Sequence, residues 1–145
     1  MIQQITVFVE NRPGRLTHIL RVLADHQIDL NGISVADSTD FGLLRLILSD
    51  PEKGKEVLKQ SGYIVKSSEV MAIDVHDAPG ALLQAMDSLS QQNINVQYMY
   101  AFGTKLSAHA MIIIKTDDNH RAAEILTQTG VEVLSLKEVE KRLTI

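Results

Sequence analysis

Slid past itself by 66 residues, this sequence meets its own pattern again, and that repeat constrains the fold more than any single motif. Val9 meets Val75, Pro13 meets Pro79, Gly14 meets Gly80, Leu16 meets Leu82, Leu23 meets Leu89 and Ile28 meets Ile94. Between these identities apolar residues face apolar ones: Ile5 with Met71, Val7 with Ile73, Leu20 with Met86, Leu30 with Val96 and Ile33 with Met99. "RLIL" at 45–48 then meets "MIII" at 111–114, after which the register drifts by about two, so that Gly62 corresponds to Gly130. One Pro-Gly match arises by chance; an apolar pattern shared along a whole copy marks a duplicated structural unit. Two domains are expected, 1–69 and 70–145. No Gly/Ser- or Pro-rich linker separates them, so the copies are expected to pack together.

The periods within a copy identify its elements. "QITVFVE" alternates apolar Ile5, Val7 and Val9, the pattern of a strand with one buried face. Leu16, Ile19, Leu20 and Leu23 fall on one helical stripe, repeated as Leu82, Ala85, Met86 and Leu89. "IDLNGISVAD" and "FGLLRLILSD" read as two further strands joined by a hairpin. "PEKGKEVLKQSG" opens on a proline suited to a helix start and closes on Gly62, a helix stop. "YIVKSSEVMAIDV" closes the first copy and opens the next. The second copy continues with "INVQYMYAFG", "SAHAMIIIKT", "DDNHRAAEILTQTG" and "VEVLS", and "LKEVEKRL" reads as a short C-terminal helix. Each copy is thus βαββαβ, and the fold class is α+β: two ferredoxin-like units, antiparallel sheets with helices packed on one face. The other sheet face and the edge strands need cover, so a homodimer is expected.

Composition narrows the function. Hydrophobic residues at 45% and charged residues at 22% describe a globular chain rather than a disordered one. A net charge of -4 disfavours nucleic acid and anionic membranes, both of which reward dense Lys and Arg. There is no cysteine, which excludes disulfides and thiolate metal sites. His18, His26, His76, His109 and His120 show no close chelating spacing, so no metal is expected. No apolar run approaches the ~20 residues that span a bilayer, and no signal peptide is visible, so a cytoplasmic protein is expected. Neither a G-x-S-x-G elbow nor a phosphate-binding loop is present, and the expectation is no enzyme and no cofactor. RNA-binding sheets share this strand order but need aromatic and basic residues on the open face. "GLLRLILS" has no aromatic residue, and no nucleic acid partner is expected.

What stands out is the strand-to-helix junction, "ENRPGRLTHIL" at 10–20 and "HDAPGALLQAM" at 76–86. A helix start carries unpaired N–H groups and the positive end of the helix dipole. Pro13 is expected in the first helical turn, where its missing N–H costs nothing. Gly14 is expected to let a ligand or a neighbouring backbone come close. Two readings stand: a well-made turn, copied by duplication, or an open mouth for a carboxylate. On the strand "VQYMYAF", Tyr98 and Tyr100 share one face and Met99 points to the other.

"VENRPGRLTHIL…IDLNGISV" resembles an ACT domain, whose hallmark is a D/N-x-P-G-x-L loop between the first strand and first helix. "DAPGALLQAM…INVQYM" resembles it a second time, so the likeness covers essentially the whole chain. The first loop is similar to the H-E-N-R-P-G loop of serine-sensing domains of phosphoglycerate dehydrogenases, with Val9 in place of the histidine. The resemblance implies a regulatory protein that holds an amino acid at an interface between units and acts through a metabolic enzyme or a change of oligomer. The implied ligand-binding residues of the first copy are Asn11, Arg12, Pro13, Gly14, Arg15, Leu16, Asp29 and Asn31. Those of the second are His76, Asp77, Ala78, Pro79, Gly80, Ala81, Leu82, Asn95 and Tyr98. Asn11 with Asp29, and Asp77 with Asn95, pair one amide with one carboxylate, the complement of an amino-acid zwitterion. The alternative is a structural module that dimerises through its sheets and binds no ligand.

Overall fold

The computed structural model describes residues 1–37, 40–102 and 108–143. The chain divides into two compact units, Gln3–Ser68 and Glu69–Ile145, the latter with Met1–Ile2. The first unit contains β1 (Ile2–Glu10), α1 (Arg15–Asp25), β2 (Leu30–Asp37), β3 (Phe41–Leu48), α2 (Pro51–Gln60) and the start of β4 (Ile64–His76). The second unit takes the rest of β4, then α3 (Ala81–Gln91), β5 (Val96–Phe102), β6 (His109–Thr116), α4 (Asn119–Gln128), β7 (Glu132–Leu134) and α5 (Leu136–Leu143). Gly103 and Ser107, at the ends of two expected strands, lie outside the described residues.

Strand order is β2-β3-β1-β4 in the first unit and β5-β6-β4 in the second, with β7 on the other side of β4. Both are the ferredoxin-like order. One 13-residue strand, β4, therefore serves as the last strand of one unit and the first of the next. Register corrects the repeat. Ile33 pairs with Leu46, whereas Met99 pairs with Ile114. The second-strand residues are 66 apart but the third-strand residues are 68 apart, so the two-residue drift falls in the hairpin loop, before "MIII" and not after it.

Each unit has its own core. In the first, Ile5, Val7 and Val9 of β1 and Leu44, Leu46 and Leu48 of β3 pack with Ile19, Val22 and Leu23 of α1 and Val57 and Leu58 of α2. In the second, Met71, Ile73 and Val75 meet Ala85, Leu89, Ala122 and Leu126. The helical stripe lies slightly off the expected one. Leu16 and Leu20 stay exposed while Val22 turns inward, and Leu82 is exposed likewise. Leu20 lines a groove with Leu30 of the edge strand β2, and Ile33, Val35 and Met99 of the edge strands are also exposed. An apolar strip thus borders β2 and β5, the edge strands of the two orders. On the sheet face away from the helices, Val70, Ala72 and Ile113 are fully buried. That explains why "VMAI" and "MIII" read as unbroken apolar runs: a strand covered on both faces has no polar alternation. Among the described residues no helix is long and apolar enough to cross a membrane.

Candidate functional site

The two Pro-Gly junctions have the same backbone geometry. Arg15 N–H donates to the Arg12 carbonyl at 3.5 Å, and Ala81 N–H to the Ala78 carbonyl at 3.1 Å. Gly14 has φ 86° and ψ -13°, and Gly80 has φ 86° and ψ -9°. Those angles belong to the third residue of a type II turn, a place that favours glycine, with proline preferred just before it. One expectation is corrected here. Pro13 and Pro79 lie outside the helices, which begin at Arg15 and Ala81. No atom of the chain lies within 4 Å of a Cβ built on either glycine, so within the chain each is required by its positive φ, and the space beside it is open. The glycine carbonyl accepts the first helical bond, from His18 N–H and from Gln84 N–H, both at 3.0 Å.

The helix starts differ in how they are finished. α2 and α4 are capped by Asp50 and Asp118, whose side chains accept from Lys53 N–H at 3.0 Å and Arg121 N–H at 3.1 Å. α1 and α3 begin at glycine with no side-chain cap. The first turns of α1 and α3 contain no acidic residue. The positive ends of these two helices are therefore left to other acceptors.

Around the first turn, Arg12 Nε lies 2.8 Å from Glu10 Oε2, and Arg15 lies 3.8 Å from the same oxygen. Glu10 thus already answers both arginines, and these exposed pairs are weak. The second turn has Ala78 and Ala81 in their places. Asn11 N–H bonds to the Asp40 carbonyl at 3.2 Å and Asp77 N–H to the Ala108 carbonyl at 2.6 Å, which ties each loop to the neighbouring hairpin.

Asp29 and Asn95 each precede an edge strand, β2 or β5, and follow the C-terminal end of α1 or α3. Asp29 N–H donates to Ser49 Oγ at 2.9 Å, and Asn95 N–H to Asp117 Oδ1 at 3.1 Å. Within one unit, then, Asn11 and Asp29 stand at opposite ends of an 11-residue helix, a span of about 16 Å. The same holds for Asp77 and Asn95 across the 11 residues of α3. No single unit brings a loop amide and a strand carboxylate together. Asp29 does line an open groove of about 520 Å³ with Leu20, Leu23 and Leu30. Asn31 lies in β2 where the pairing shifts register, and Tyr98 is half-buried on β5 beyond the matching shift.

A polar cluster in the second unit is the feature that motif reading passes over. Asp74 of β4 has a side chain only 6% exposed. Its Oδ1 accepts from His109 Nδ1 at 2.7 Å, and its Oδ2 pairs with Arg142 of α5. Arg142 also reaches Glu132 Oε1 at 2.8 Å. His76 stands edge-on to His109, ring centroids 5.1 Å apart. The signal for this cluster is in the repeat: Asp74 interrupts an apolar run, and 66 residues back stands Phe8. Among the described residues no group of three or more His, Cys, Asp or Glu side chains is arranged to hold a metal ion.

A crystal structure of a protein from Bacteroides thetaiotaomicron is 31% identical, with a TM-score of 0.90 over 99% of this chain and 96% of that one. The regulatory subunit of aspartate kinase from Thermus thermophilus matches at 15% identity and a TM-score of 0.64, covering 87% of this chain and 91% of its own. Its counterpart from Thermus flavus matches at 14% and 0.62, covering 97% and 91%. At such identities these two show the fold alone. No curated protein matches the chain. The profile of the ACT domain pair matches residues 1–143. The chain belongs to the ACT domain pair family.

Proposed function

We propose that this protein is a small regulatory module that binds an amino acid between ACT-like units, the Pro-Gly turns holding the ligand's carboxylate. The observation that carries the reading is the contrast among helix starts: two are closed by aspartate, and the two behind Pro-Gly have no side-chain cap. A ligand carboxylate is the acceptor such an end favours. Asn11 and Asp77 flank these ends; the Asn11 and Asn95 amides serve the ligand's carboxylate and the Asp29 and Asp77 carboxylates its ammonium, in swapped places in the two copies. The separation of loop and strand residues within a unit supports a ligand bound across two units. The apolar strip beside β2 and β5 supports association of units through those edges, and a homodimer provides it. The output is a change of oligomer or of contact with a metabolic enzyme, because a ligand shifts only an equilibrium whose two states it distinguishes.

A thermal-shift screen against the common amino acids tests this. A ligand at a hundredfold its dissociation constant stabilises the folded chain by about 2.7 kcal/mol. Calorimetry on Asn11→Ala and Asp77→Ala then assigns the loops, and unchanged affinity in both removes the assignment. The exposed Leu16, Leu20, Ile33 and Val35 favour a second reading, a protein-interaction module without a ligand. A flat screen together with a stable dimer selects it.

A further inference from the structure

We propose that the sheet face of the first unit turned away from α1 and α2 is a docking surface for a short amphipathic helix of a partner protein. The surface uses no residue of the Pro-Gly turns, and the proposal does not rest on an amino acid bound there. Strand alternation defines it. Val7 and Val9 of β1 point into the core, so Phe8 between them points away from the helices. Leu43 stands directly opposite Phe8 on β3, and Phe41 follows Leu43 on the same face. Tyr63 and Val65 pack on the core, so Ile64 of β4, the strand beside β1, turns the same way as Phe8. Phe8 is 41% exposed, Phe41 55% and Ile64 70%, and Leu43 is half-buried. Large apolar side chains exposed on one face of three neighbouring strands form a grouped patch, of the kind that marks an interaction site.

The second unit shows what covers this face. Strand register makes Asp74 and His109 the equivalents of Phe8 and Phe41. Polarity and burial are inverted between the copies: the carboxylate of Asp74 is buried where the ring of Phe8 is exposed. The helix α5 accounts for the inversion. Its Arg142 reaches both Asp74 and Glu132, which stand directly opposite each other on β4 and β7, so the helix lies over this face. Val139 of α5 is fully buried, and Leu136 and Leu143 are half-buried, an apolar stripe at i, i+3 and i+7. The first copy has no such helix, because β4 runs from its last strand straight on into the second unit.

The occupant comes from outside the chain. Only Ser135 separates α5 from β7, and Val139 and Arg142 are already engaged in their own unit, so α5 of this chain or of a second copy does not reach the first unit's face. A helix laid on such a face binds by apolar anchors spaced along one stripe. The substitution at Phe8 sets the chemistry of one anchor. α5 places an arginine against β4 because a carboxylate stands there to pair with it. Against Phe8 a guanidinium would lose water without gaining a partner. The partner helix therefore has an apolar residue at the place of Arg142, beside the stripe that Leu136, Val139 and Leu143 mark out.

The probe is a synthetic peptide of residues 135–143 with Arg142→Leu. A hydrocarbon bridge between positions 137 and 141, both exposed in the chain, holds it helical, because so short a helix is marginal in water. The same bridged peptide with Arg142 kept is the control. Added to the full wild-type chain at up to millimolar concentration, the leucine peptide is expected to shift the amide resonances of residues 8, 41, 43 and 64. The arginine peptide is expected to bind roughly tenfold more weakly. These two readouts need no variant of the protein. The double variant Phe8→Asp, Phe41→His gives the first unit the second unit's residues, and is expected to reverse the preference with an unchanged circular dichroism spectrum. No shifts with millimolar leucine peptide, equal affinity of the wild-type chain for both peptides, shifts confined to α5 and β7, or an unreversed preference in the folded double variant each overturn the proposal. So does a dimer in sedimentation that the double variant abolishes, since the face then belongs to a second copy.

Discussion

Replacing Gly80 by alanine isolates what the Pro-Gly turn asks of the chain. Gly80 has φ 86°, and a Cβ built there meets nothing within 4 Å. Steric conflict with neighbours is therefore absent, and the whole effect is local backbone strain. Left-handed backbone costs a residue with a Cβ about 1–2 kcal/mol. Alanine recovers about 0.4–1 kcal/mol by narrowing the unfolded ensemble. The net destabilisation is about 1 kcal/mol. For a chain of this size that lowers Tm by about 2–4 °C. Gly80→Asn is expected to cost less, because asparagine visits the left-handed region more readily. Urea titration reads both, with the midpoint falling and the slope unchanged. An alanine variant as stable as the parent refutes the reasoning. So does an asparagine variant worse than alanine, which would mean that space and not φ selects glycine.

Three other outcomes are expected. Asp118→Ala removes the cap of α4 and costs about 1 kcal/mol, read as a lower urea midpoint. Arg142→Ala leaves the nearly buried Asp74 carboxylate with His109 and costs about 2 kcal/mol, below the full buried-pair value because the Arg142 side chain is 33% exposed; chemical denaturation measures it. Glu138 accepts from the Ser135 backbone N–H and from its hydroxyl, both at 2.7 Å, and the backbone bond foremost holds the carboxyl below its ordinary value. A depressed pKa stabilises the folded state above the unfolded value, and the contribution is lost as pH falls through the folded one. The Ser135 amide resonance is thus expected to titrate below the ordinary glutamate range and to lose that step in Glu138→Gln.

Much of the fold was legible in the residues because duplication doubles every signal. Val7 alternating in β1 is weak on its own, and Ile73 in the same phase confirms it. The helix faces were harder to read. Leu16 and Leu20 look like core by spacing, yet they lie on a flank, because hydrophobicity alone cannot separate a buried stripe from an apolar strip beside an edge strand. Pro13 was misplaced by two residues for a related reason. Pro-Gly serves equally in a first helical turn and in a type II turn, and only φ at Gly14 separates them. The break at Asp74 is visible in the repeat, but its partner Arg142 stands 68 residues away on a helix that the first copy lacks, so no local pattern announces the pairing.

The shared strand sets a parity rule on how this gene can change. Side chains in β4 alternate between faces, and Met71, Ile73 and Val75 belong to the core of the second unit. One extra residue at the join between Ser68 and Glu69 puts the two halves of β4 out of phase. The strand then has to bulge, or one half presents the wrong side chains. Two extra residues restore the phase. Insertions and deletions tolerated at this join are therefore even in number, whereas the lengths between the second and third strands of the two copies already differ by two residues.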